Sequence, residues 1–82
     1  MKTVFIDVST KETKEFVFKV IEHNDGSFTV IRQSSRIYPD GKKVIKSERK
    51  ANCANRDELK NCELNSSRQG KMFLDSQFWI NS

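Results

Sequence analysis

Through most of the first fifty positions apolar and polar residues alternate, the two-residue period of strands whose side chains point to opposite faces. Between Thr3 and Val8, the residues Val4, Ile6 and Val8 share one side while Thr3, Phe5 and Asp7 share the other, so a strand is expected there. The polar "STKETK" then reads as a loop. "KEFVFKVIE", "HNDGS" and "FTVIRQ" read as two strands about a turn. A three-residue loop, Asn24-Asp25-Gly26, pairs His23 with Ser27, Val20 with Val30 and Phe18 with Arg32. That register gathers Phe16, Phe18, Val20, Phe28 and Val30 on one face. A two-residue Asp25-Gly26 loop pairs Val20 with Ile31 and scatters the aromatics over both faces. The longer loop is therefore expected, with Gly26 in the left-handed position of a type I turn plus bulge.

"RIYPDGKKVIKSERK" at 36–50 repeats this turn chemistry. Pro39 fixes φ at the first corner, Asp40 suits the second, and Gly41 takes the left-handed position. Tyr38 then pairs with Lys42 and Ile37 with Lys43. Strict alternation from Val30 leaves Ile37 and Ile45 on the side away from the core. A bulge near Ser34-Ser35 is expected to bring them back.

After Lys50 the period changes. "ANCANRDELKNCEL" lacks β-branched residues, Asn55 and Glu58 have capping-box spacing, and Leu59 and Cys62 share a helical face. A short helix is expected at roughly 53–64. "NSSRQGK" reads as a loop centred on Gly70, "KMFLD" as a further strand, and "SQFWI" as a final apolar segment. The pattern predicts an α+β fold: a small antiparallel β-meander of four to five strands, with one short α-helix packed on one face, forming a single domain over residues 1–82.

Composition adds that this core is small. Hydrophobic residues make up 35% and charged residues 32%, and the six Phe supply much of the apolar area. The chain has no apolar run long enough for a membrane span, and its first residues lack the apolar block of a secretion signal. A cytoplasmic protein with free thiols at Cys53 and Cys62 is expected, and no membrane partner. Nine positions apart on one helix, the two cysteines would lie on nearly opposite sides. Cys62 reads as a core residue, and Cys53 as a thiol whose pKa a helix N-terminus would lower.

Charge changes the picture more. The chain carries 15 basic and 11 acidic residues. Between Arg32 and Lys50 there are seven basic residues and only two acids, Asp40 and Glu48, so this hairpin holds the whole positive excess. Reactive chemistry, by contrast, is thin. His23, Cys53 and Cys62 are scattered, which argues against a metal site. The three glycines are isolated, and no cofactor motif is present. No enzyme, no metal and no cofactor are expected.

The function expected is that of a small binding or regulatory protein engaging nucleic acid, or a nucleic-acid-bound complex, through the basic hairpin. Its candidate residues are Arg36, Tyr38, Lys42, Lys43, Lys46, Arg49 and Lys50, with the cations on phosphates and Tyr38 beside a base. The alternative is an inhibitor or adaptor that occupies an acidic or nucleic-acid-binding protein, such as a phage or mobile-element antagonist of a host nucleic-acid machine. It would act through a sheet edge or through Asp57, Glu58 and Glu63. A homodimer through Phe78, Trp79 and Ile80 is a further expectation.

Overall fold

The computed structural model describes residues 1–76. Four strands, β1 (Lys2–Lys11), β2 (Lys14–Glu22), β3 (Phe28–Ile37) and β4 (Lys43–Cys53), form one antiparallel sheet in the order β1-β2-β3-β4. Each strand therefore meets its sequence neighbour, and turn chemistry sets each register.

At the β2–β3 turn, the Gly26 N–H donates to His23 O at 3.1 Å and the His23 N–H donates to Ser27 O at 2.8 Å. Gly26 takes φ 86°, as the three-residue loop requires. Asp25 Oδ1 accepts from the Ser27 hydroxyl at 2.6 Å and the Ser27 N–H at 3.0 Å. Those bonds hold the Asp25 carboxyl below its ordinary range. Val20 pairs with Val30 and Phe18 with Arg32, the register expected from the pattern. The β3–β4 turn follows the same logic, with Gly41 at φ 89° and Ile37 opposite Lys43.

The first connection is tighter than the polar run suggests. Strand pairing extends to Lys11 opposite Lys14, so the turn is only Glu12-Thr13. Glu12 adopts φ 55°, a left-handed conformation that an ordinary side chain resists. Glu12→Asn is expected to stabilise the protein by about 0.5–1 kcal/mol, because Asn tolerates that region better. Thermal unfolding of the two proteins checks it.

The segment after β4 departs most from expectation. Cys53 ends β4, opposite Phe28, rather than opening a helix. Helix α1 spans only Arg56–Lys60, with Asn55 Oδ1 accepting from the Glu58 N–H at 2.9 Å and Glu58 accepting in return from the Ala54 N–H. A 3-10 turn, Glu63–Ser66, leads into helix α2, Arg68–Asp75. Helix α2 replaces both the loop expected at Gly70 and the strand expected at 71–75. Ser67 caps it, its Oγ accepting from the Gly70 N–H at 3.0 Å, and Gly70 is buried against Asn65. The described residues thus contain four strands and two α-helices. Phe78, Trp79 and Ile80, with the dimer contact expected of them, lie outside those residues.

Phe18, Val20, Phe28 and Val30 from the sheet meet Leu59, Leu64 and Phe73 from the helical segment in the buried core, with Cys53 beside them. Phe73 lies 5.2 Å from Phe5 and 6.1 Å from Phe18 between ring centroids. On β1, therefore, Phe5 faces the helices, whereas Ile6 and Val8 stay 56% and 55% exposed. No helix among the described residues is long and apolar enough to cross a membrane.

Candidate functional site

Ladder register decides which side chains share a surface, because residues directly opposite one another project to the same face. The face beneath the helices continues past Phe18 through Phe16, Ser34 and Ser47 to Lys14, Arg36 and Val44. An eight-residue helix reaches about 12 Å, while a ten-residue strand reaches about 33 Å. Among the described residues, the helical layer therefore covers one end of the sheet and leaves the other end of this face open.

That open end is strongly basic. Arg32 stands opposite Arg49, Lys14 opposite Arg36, and Lys11 opposite Lys14. The expected bulge near Ser34-Ser35 is present, but the extra residue is on β4. Ser34 faces Ser47 and Ser35 faces Ile45, which leaves Lys46 between partners. Lys46 lines a recess with Thr13, Lys14, Phe16, Ser34 and Arg36. A second recess runs along Phe16, Arg32, Ser34, Ser47, Arg49 and Gln69. A third lies between Ser9, Lys11, Phe16, Arg32 and Arg68. Gln69 walls this side by donating through Nε2 to Asp7 Oδ2 at 2.9 Å, and to Asp7 O and Phe16 O at 3.1 Å.

The opposite, helix-free face is built differently. It carries Ile6, Val8, Lys19 and Ile31, with Glu15 and Glu48 among its lysines. Lys43 Nζ pairs with Glu15 Oε2 at 2.8 Å, and Lys50 Nζ with Glu48 Oε1 at 3.3 Å. The Gln33 amide also donates to Glu48 Oε2 at 3.0 Å, and this bond, with Lys50, holds the Glu48 carboxyl below its ordinary range. Because the bulge adds its residue on β4, Ile45 is not returned to the core; it sits on this face, 56% exposed.

The candidates drawn from the hairpin accordingly divide. Arg36, Lys46 and Arg49 belong to the basic face; Lys43 and Lys50 belong to the other and have acidic neighbours. Tyr38 lies beneath Arg36, whose guanidinium carbon is 5.4 Å from the ring centroid, and is therefore already stacked. Lys42 is exposed beside the turn, its N–H donating to Asp40 Oδ1 at 3.1 Å. Arg49 Nη2 meets Glu63 Oε1 at 2.7 Å, an exposed pair that an anionic ligand would displace at little cost. The basic face also gathers Arg32 from the same hairpin, and Lys11, Lys14 and Arg68, which the hairpin does not supply. Lys11 and Lys14 flank one turn and stand opposite each other on paired strands, a signal that depends on knowing the turn to be tight.

Of the acids of α1 and the 3-10 turn, Asp57 is exposed, while Glu58 and Glu63 are engaged within the fold. Glu58 caps Ala54 and Glu63 pairs with Arg49. His23 is half-buried beside its turn. Thr29 Oγ1 donates to Asn52 Oδ1 at 2.9 Å, so His23 Nε2 donates to Thr29 Oγ1 at 2.7 Å. Cys53 and Cys62 are both free thiols. Burial pushes the Cys53 thiol up to about 11, with Cys62 and Glu58 adding to the shift, which reverses the lowering expected from a helix N-terminus. Among the described residues no three His, Cys, Asp or Glu side chains form a metal-binding group.

Compared with known proteins, the chain matches no family model, and no curated protein or solved structure matches it significantly.

Proposed function

We infer that this chain is a small non-catalytic protein that binds nucleic acid through the open, basic end of its helix-bearing face. The observation that carries this reading is the contrast between the two faces. Like charges set directly opposite each other destabilise a sheet. The basic face nevertheless opposes Lys11 to Lys14, Lys14 to Arg36 and Arg32 to Arg49, while the other face intersperses lysines with acids. Lysines serving only to solvate an edge need no such segregation. A polyanion laid across the basic face neutralises all three pairings at once, and its released counterions supply binding free energy.

A protein partner is the second reading, favoured by the exposed Ile6, Val8 and Ile45 on the helix-free face. Fluorescence anisotropy with labelled DNA and RNA separates the two. Micromolar binding is expected at about 50 mM salt, weakening towards about 200 mM with a log–log slope of about −3 to −5. Absence of binding at the lower salt would overturn the nucleic-acid reading and favour the protein one.

A further inference from the structure

We propose that the basic face takes single-stranded nucleic acid in preference to duplex, with Phe16 as the platform on which one base stacks. This rests on the reading of that face as a nucleic-acid site.

Phe16 lies on a central strand and lines all three recesses of the open face. Phe18, Phe28 and Phe73 are at most 2% exposed in the core, and Phe5 packs against it. Phe16 follows the same strand parity as Phe18 but lies at the edge of the helical cover, beside the start of α2, and is only half-buried. A half-exposed aromatic on a sheet has a large apolar area to shield, and every base offers a matching flat face.

The surroundings suit a strand whose bases are turned inward. Lys11 and Arg68 lie on the β1 and α2 side of Phe16; Arg36, Lys46 and Arg49 lie on the β3 and β4 side. Cations on both flanks of one aromatic let a backbone cross the sheet with phosphates at the rims and a base at the centre. Ser9, Ser34 and Ser47 line the recesses, and among the described residues their hydroxyls make no side-chain hydrogen bond. They can meet base edges of any sequence. A duplex cannot use the platform, because its bases are stacked on one another and present only their edges. Ser67, Arg68 and Gln69 form a helical wall beside Phe16, which keeps the ring at the floor of a recess rather than on a protruding ribbon.

The test compares four probes by anisotropy at low salt: oligo-dT and oligo-rU of about twelve nucleotides, a DNA duplex of equal length, and heparin, a polyanion without bases. Oligo-dT or oligo-rU is expected to bind at least about tenfold more tightly than the duplex. Phe16→Leu keeps the apolar volume and is expected to weaken single-strand binding about 5- to 30-fold, with heparin binding unchanged. Phe16→Tyr keeps a stacking face and is expected to bind as wild type, while the Leu variant's own heparin binding and Tm control for any loss of its fold. Equal affinity for duplex and single strand, or single-strand binding indifferent to Phe16→Leu, overturns the proposal while leaving a general nucleic-acid site in place. Failure of all four probes to bind overturns the broader reading itself.

Discussion

Replacing Gly70 by Ala is expected to destabilise the protein by about 3 kcal/mol or more, although Ala is the better helix former by about 1 kcal/mol. A Cβ at this position of α2 would lie 2.4 Å from Asn65 Cα and 2.6 Å from its carbonyl carbon and oxygen. These are backbone atoms, so no rotamer change relieves the clash. Asn65 is itself buried and tied to α1, its Nδ2 donating to Leu59 O at 2.6 Å. Helix α2 must therefore lift, and Phe73 must leave its contacts with Phe5 and Phe18. For a domain of this size that loss lowers Tm by at least about 12 °C. Thermal and urea unfolding check the prediction. A Gly70→Ala protein more stable than wild type would show that α2 does not approach the 3-10 turn so closely.

The second large effect separates binding from stability. Reversing two charges together, as Lys14→Glu and Arg32→Glu, is expected to lower nucleic-acid affinity on the order of 100-fold at low salt. It is also expected to raise Tm slightly. The carboxylate introduced at position 14 would face Lys11 and Arg36, and the one at position 32 would face Arg49. Three repulsive pairings thereby become attractive ones of about 0.2–1 kcal/mol each. A loss of binding through misfolding would lower Tm instead. Anisotropy and thermal unfolding of the same preparation distinguish the cases, and unchanged binding would remove the basic face from the proposed function.

The sheet was largely legible in the chain because its turns announce themselves. Gly26 and Gly41 each supply the left-handed residue that a three-residue loop needs, and the alternation of Phe18, Val20, Phe28 and Val30 admits only one clean register. The bulge was legible as a conflict between Val30 and Ile37, but the strand receiving the extra residue was not. Either strand can take an extra residue without changing its local pattern, and on β4 it is Lys46 that is left unpaired and lines the basic recess. Helix α2 was hidden by Gly70, which reads as a loop residue until its neighbour is known. The spacing of Gly70, Phe73 and Leu74, behind the cap at Ser67, was the available helical signal. The candidate site was half legible for a related reason. Counting charge along one hairpin finds Arg36, Lys46 and Arg49, but it cannot see that β1, β2 and α2 bring Lys11, Lys14 and Arg68 to the same surface.

The short helical layer over long strands has a consequence for motion. Val20 and Val30, beneath Leu59 and Phe73, share the full cooperative stability of the core, so their amides exchange only when the whole molecule opens. Beyond Ser34 no apolar side chain of the ladder is fully buried, and β4 is exposed from Lys43 to Lys50. The β3–β4 tip is thus a unit of low local stability joined to a rigid base, with the Lys46 bulge as the natural place to bend. The amides of the β4 tip are therefore expected to exchange faster than those of Val20 and Val30, a difference that hydrogen exchange reads directly.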